Sequence, residues 1–345
     1  MTMPVWPREG AGSLILIGLL ALIPATLRSQ TAGSGAATIV RLDPKLDALL
    51  PKSAVVEKLA DGFAWTEGPV WDRTARVLLF SDIPNNVVQK WKEGSGVSEF
   101  LRPAGYSGSE PFSGREPGSN GLTFDATHRL VLCQHGDRRI ARLDAPGRFT
   151  ALADRYDGKR FNSPNDLVYR SNGDLYFTDP AYGLPKTFDD PARELPFTGV
   201  YRLQPDGTVT LLTKELKAPN GIAFSPDEKT LYVAQSNVDD PVIMAYPVNA
   251  DGTIEAGKVL INEVSEIKAG KPGLPDGMKV DTRGNLWATG PGGVWIIMPD
   301  GTPIGRIDTG VPTANVAWGD DGATLYITAN KTLLRVKTTT KGKIP

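Results

Sequence analysis

One cysteine, Cys133, and two histidines, His128 and His135, are all that this 345-residue chain holds of thiolate and imidazole ligands. A lone cysteine excludes an intrachain disulfide and a thiolate metal cluster. Two histidines exclude a multi-histidine zinc site. Any metal this protein uses must therefore be held mainly by oxygen. Charge of one sign is lacking too: 38 Lys and Arg stand against 39 Asp and Glu, a net charge of −1 with no long single-sign block. That balance argues against a nucleic-acid or other polyanion binder. No G-x-S-x-G elbow is present, which disfavours a Ser-His-Asp hydrolase, and Gly105-Tyr-Ser-Gly108 is too short a match.

Long hydrophobic runs are also scarce. Arg8 precedes the apolar stretch Leu14–Ile23, which small and polar residues follow through Ala32. The stretch is shorter than the roughly 20 residues needed to span a bilayer. It reads as a secretory signal peptide over residues 1–30, which places the mature chain outside the cytoplasm, periplasmic or secreted, with no stable membrane span after cleavage. No cysteine follows it, so a lipoprotein anchor is excluded.

What the chain has in plenty is turn residues, 37 glycines and 28 prolines, without the three-residue period of collagen. They are distributed through a repeat. Six segments share a polar or small leading residue, an alternating strand, a turn and a second strand. They open at Glu67, Asn120, Asn165, Asn220, Asp276 and Ala314, at intervals of roughly the 40–50 residues of a four-stranded propeller blade with loop insertions. Ser171-Asn-Gly-Asp174, Ser225-Pro-Asp227 and Thr282-Arg-Gly-Asn285 supply hairpin chemistry between paired strands. The prediction is an all-β, six-bladed β-propeller forming one domain over residues 31–345. A strand near Ala54–Leu59 is expected to complete the last blade and close the ring. Tryptophans 71, 91, 287, 295 and 318 are read as blade packing. Two insertions, Arg102–Ser119 and Ala181–Thr198, adjoin the leading-residue edge and are placed either to cover a central opening or to serve as solvated crossovers.

Equivalent positions of a propeller repeat lie on a circle around its axis. Glu67, Asn120, Asn165, Asn220 and Asp276 are therefore expected to face one central opening, and two carboxylates with amide oxygens suit a hard cation such as Ca²⁺ or Mg²⁺. Asn-Gly and Asp-Gly are also common hairpin turns. Glu67, a poor turn residue in the same register, weighs toward a ring.

Glu67-Gly-Pro-Val-Trp71, Ser163-Pro-Asn-Asp166, Pro219-Asn-Gly221 and Leu274-Pro-Asp-Gly-Met278 resemble the family of senescence marker protein, gluconolactonase and luciferin-regenerating enzyme. Cys133-Gln-His-Gly136 and Phe161-Asn-Ser-Pro-Asn-Asp166 are similar to its bacterial gluconolactonase branch, and the resemblance spans residues 55–330. It implies a propeller with one axial divalent cation, usually calcium, with Mg²⁺, Mn²⁺ or Zn²⁺ as further options. It implies Glu67, Asn220 and Asp276 as ligands and Asn165 as a ligand or a contact to water and substrate. It also implies hydrolysis of a small-molecule sugar lactone. Asp276 is then the candidate general base, Asn120 and Asn165 candidates to bind lactone hydroxyls, and His135 a base, a substrate contact or a structural histidine. Asp166 and Asp179 are expected to support these residues, and Arg138 and Arg139 to be solvated. Two other readings stand beside this one: a calcium-dependent esterase or phosphotriesterase at the same site, and a non-catalytic propeller in which the ion staples the ring. The protein is expected to be a monomer or a dimer.

Overall fold

The computed structural model describes residues 37–345; the expected signal peptide lies outside the described residues. Six antiparallel sheets of at least four strands each form the blades of a propeller. Their innermost strands are Thr66–Asp72, Ser119–Phe124, Leu167–Tyr169, Pro219–Phe224, Met278–Val280 and Asn315–Gly319. One α-helix, Val264–Lys268, occurs among the described residues, and none of their helices is long and apolar enough to cross a membrane.

The repeat has a local cause. In every blade the first hairpin is closed by an Asp or Asn whose side-chain oxygen accepts the backbone N–H two residues on. Asp72, Asp125, Asn172, Asp227, Asp281 and Asp321 do this at 2.9–3.2 Å. The turn fixes where each strand reverses, and the alternating apolar residues then pack one blade on the next. Trp71 of blade one stacks on Tyr326 of blade six at 5.4 Å between centroids, and Trp287 of blade five meets Trp318 of blade six edge-on at 5.3 Å. Such aromatic pairs add about 0.5–1.5 kcal/mol each beyond their area burial.

Two N-terminal strands complete the ring. Strand β1 (Thr38–Arg41) adds a fifth strand to blade five, with Thr38 opposite Asp308. Strand β2 (Val56–Asp61) is the outermost strand of blade six, with Val56 opposite Val336 and Asp61 opposite Thr332. The closing strand expected from the sequence is β2; the extra strand β1 is an addition. Between them Leu46, Leu49 and Leu50 are buried against Trp287, Ile304, Val316 and Trp318.

At the axis the blades come unusually close. A Cβ on Gly68 would lie 2.0 Å from the Asn120 carbonyl oxygen, on Gly221 2.1 Å from that of Asp276, and on Gly277 1.9 Å from Asn315 Cγ. The Asn-Gly and Asp-Gly pairs at 120, 220 and 276 thus mark the close approach of neighbouring innermost strands and not hairpin turns. Hydroxyls of adjacent blades hold the carbonyls of leading residues: Ser81 Oγ donates to Asn120 O at 2.8 Å, Thr178 Oγ1 to Asn220 O at 2.7 Å, and Thr289 Oγ1 to Ala314 O at 2.9 Å.

Between blades four and five lies a buried acid, Glu263, neither of whose carboxyl oxygens has a hydrogen-bond partner among the described residues. Burial, with a smaller contribution from the charge of Glu266, pushes it up to about 8 from an ordinary 4.5. The folded protein therefore keeps this proton where the unfolded chain has lost it. Its own contribution to stability is full below pH 4.5 and falls as pH rises toward 8, by up to about 1.4 kcal/mol per pH unit. Glu263→Gln should abolish that slope: urea unfolding at pH 5 and pH 8.5 should show the variant gaining on the wild type at the higher pH. Identical pH dependence in the two proteins would refute the assignment.

Candidate functional site

The leading residues converge. Glu67, Asn120, Asn165, Asn220 and Asp276 line one cavity of about 370 Å³ on the propeller axis, joined by Glu116, Tyr182 and Ser236. A shallower depression of about 530 Å³ beside it is built from Pro84, Asn86 and the 103–117 segment. Its one carboxylate, Glu110, is exposed, so the axial cavity is the chemically furnished one.

Glu67, Asn120, Asn165 and Asn220 are buried, and Asp276 is partly exposed. Glu67 Oε2 accepts from Gly68 N at 2.8 Å and from Asn315 Nδ2 at 3.3 Å. Asn220 Nδ2 donates to Ser236 Oγ at 2.9 Å, which leaves its carbonyl oxygen for the cavity. Ser236 Oγ in turn donates to Pro275 O beside Asp276, and Tyr182 Oη donates to Ser236 O at 3.1 Å. Asn120 Oδ1 and Asp276 Oδ1 are buried with no partner among the described residues.

The sixth blade contributes one position later than its leading residue. Ala314 carries no polar group, and Asn315 turns to the axis, where Nδ2 reaches Glu67 Oε2 and, at 3.5 Å, Asp166 Oδ2. Asp166 is thus a further buried carboxylate on the axis beside the ring. Its neighbour Asp179 accepts from Asn162 N and Ser163 N, both at 2.8 Å, and so braces the segment that delivers Asn165.

Electrostatics follow from this crowding. Burial raises Glu67 to about 8, with the charges of Asp166 and Glu116 adding to the effect against the bonds from Gly68 and Asn315. Burial also raises Asp276 well above the carboxylate range, reinforced by Glu67, Asp166 and Glu116. Asp166 is raised by burial, opposed first by the Lys279 ammonium. Buried carboxylates in this state either hold protons or attract a positive partner. No group of three or more His, Cys, Asp and Glu side chains is arranged to hold a metal among the described residues. The donor set here is two carboxylates with amide oxygens.

His135 sits behind the cavity wall. It is fully buried, its Nδ1 is 3.0 Å from Glu116 Oε2, and it does not line the cavity itself. Arg138 departs from the expectation of a solvated side chain: it is buried, and its Nε donates to Phe161 O and Asn162 O. Sequence reasoning missed Glu116, Tyr182 and Asn315. The first two lie in the insertions that adjoin the ring, which was the available signal for them.

Fold and site define a six-bladed propeller with a carboxylate-bearing axial cavity. Residues 65–331 match the family described as SMP-30/Gluconolactonase/LRE-like region, and the chain belongs to that family. It is 42% identical over 320 residues to a gluconolactonase of Zymomonas mobilis, across 91% of this chain and 90% of that one. A pentonolactonase of Haloferax volcanii is 28% identical over 274 residues, across 76% of this chain and 80% of the relative. Among solved structures, a gluconolactonase of Xanthomonas campestris superposes with a TM-score of 0.75 at 33% identity, covering 88% of this chain and 98% of that one.

Proposed function

We propose that this protein is a lactone hydrolase that opens a sugar lactone of the gluconolactone type to its aldonic acid, with a divalent cation held by Glu67, Asn165, Asn220 and Asp276. One observation carries this reading. Two carboxylates, the buried Glu67 and Asp276 with its buried Oδ1, meet three ring asparagines in one cavity, in a chain 42% identical to a gluconolactonase. The residues fit a hard cation: the donors are oxygens, Asp276 Oδ1 and Asn120 Oδ1 have no partner among the described residues, and the carboxylates repel one another without a positive charge between them. Calcium is the first choice by this donor chemistry.

When bound, the cation supplies Lewis-acid polarisation of the lactone carbonyl. Asp276 accepts a proton from the attacking water as the new carbon–oxygen bond forms. The ring carbon–oxygen bond then breaks, and the proton passes from Asp276 to the departing ring oxygen, giving the hydroxy acid. Asn120 and Asn165 donate hydrogen bonds to the substrate and fix its orientation on the axis. An exported location, periplasmic or secreted, rests on the apolar stretch at residues 14–23, and a monomer or dimer is the proposed state.

Acid release from glucono-1,5-lactone tests the proposal. Turnover should vanish after exhaustive chelation and return on adding calcium. Wild-type turnover that survives complete removal of divalent ions would sink the cation-dependent mechanism, and hydrolysis of paraoxon-like esters without any of lactone would favour the esterase alternative.

A further inference from the structure

The insertion at residues 102–119 is pinned, not loose. Asn86 Oδ1 accepts from the backbone N–H groups of Ala104, Gly105 and Tyr106 at 2.7–3.2 Å, and Gly118 N donates to Ile83 O at 3.0 Å. This carries Glu116 to the cavity wall, partly exposed and among the residues that line it. Behind it, His135 N donates to Gly118 O at 3.1 Å. The other insertion packs on the same ring: a Cβ on Gly183 would lie 2.5 Å from His135 Cβ. His135 is therefore clamped between both insertions with no exposure, Nδ1 3.0 Å from Glu116 Oε2 and Nε2 without a partner among the described residues. At 3.0 Å the contact is close but is not aligned as a hydrogen bond. A carboxylate only accepts, so this contact holds Glu116 only in the tautomer that carries its proton on Nδ1.

This geometry divides the labour of Glu116. Oε2 faces His135, and Glu116 lines the cavity with its second oxygen outside that contact. It belongs to the wall contributed by an insertion, whereas Glu67 and Asp276 come from the innermost edge of the blades. A carboxylate so placed accepts hydrogen bonds from hydroxyls, and charge-assisted bonds of this kind are the stronger ones. A site with a buried-backed acceptor discriminates against a ligand that lacks the matching hydroxyl, because the acceptor is then left unpaired. Building on the lactone reading of the site, we infer that Glu116, positioned by His135, reads the hydroxyls of the substrate and makes the enzyme selective for polyhydroxylated lactones over unsubstituted ones.

The test compares glucono-1,5-lactone with δ-valerolactone, which has the same ring and no hydroxyls. In E116Q the ratio of kcat/KM for the sugar lactone over the plain one should fall about 10- to 100-fold, as expected for losing a hydrogen bond to a charged group. Most of that loss should lie in KM. His135→Leu should follow E116Q, whereas His135→Asn, which keeps an N–H near the Nδ1 position, should restore much of the ratio. Thermal melts of the three variants separate this pattern from misfolding. An unchanged ratio in E116Q, or equal losses on both lactones, or a loss confined to kcat, would overturn the inference. A wild type inactive on every lactone would instead overturn the lactone reading itself.

Discussion

Asp276→Asn should lower kcat on glucono-1,5-lactone by about a thousandfold, within the 10²–10⁴ that a positioned general base supplies, and leave the propeller folded. The substitution preserves shape while removing the oxygen charge to which the proposed mechanism delivers the proton. Its second effect has the opposite sign. Asp276 sits beside Glu67, Asp166 and Glu116, whose charges all disfavour its ionised form. Without a cation, the asparagine variant escapes that repulsion and melts higher than the wild type under chelation. With calcium present the order reverses, because a cation that binds only the folded state stabilises it in proportion to its affinity. Initial rates and paired melting curves with chelator or calcium check both halves. Activity within tenfold of wild type would remove Asp276 from the proton-accepting role.

Deleting residues 37–61 produces a chain with no cooperative unfolding transition. The segment contains β2, the fourth strand of blade six, and Leu46, Leu49 and Leu50 in the core between blades five and six. Each buried leucine is worth about 2–5 kcal/mol by truncation, so the three together remove about 6–15 kcal/mol, against about 5–15 kcal/mol for the net stability of a typical domain. The loss of β2 also strips the outer partner from Thr332–Lys337 and leaves a hydrophobic edge strand open. The expected result is a flat thermal trace by near-ultraviolet circular dichroism, with aggregation. A truncated chain that melts sharply and still opens lactones would show that five complete blades and a three-stranded sixth suffice.

Much of this architecture was legible before the structure. The leading residues recur at blade spacing and keep their register, so periodicity gives six blades, and Glu67 in that register tips the reading from hairpin turns to a polar ring. The closing strand, expected at Ala54–Leu59, is observed at Val56–Asp61. Three features escaped for physical reasons. Strand β1 is four residues long and pairs with residues distant in sequence, so it carries no local pattern. Asn315 reaches the axis from the position after the leading residue, where glycine in four blades hides the rule and only Asp166 and Asn315 carry side chains that reveal it. Glu116 lies in an insertion without periodicity, and its place in the cavity depends on the Asn86 anchor, a contact that no spacing encodes.

The two kinds of cavity wall have different evolutionary prospects. Glu67, Asn120 and Asn220 sit on innermost strands, and Asn165 and Asp276 just ahead of them, packed so closely that neighbouring glycines admit no side chain. Mutational drift at those positions is tightly constrained. Glu116 and Tyr182 belong to insertions whose ends are tied to the frame, and surface connections tolerate replacement far better than the elements they join. Exchanging residues 102–118 or 181–198 between relatives can therefore alter the cavity's outer contour while the axial ring is inherited intact. The scaffold is suited to diversify by loop recombination, with new substrate ranges arising on an unchanged hydrolytic centre.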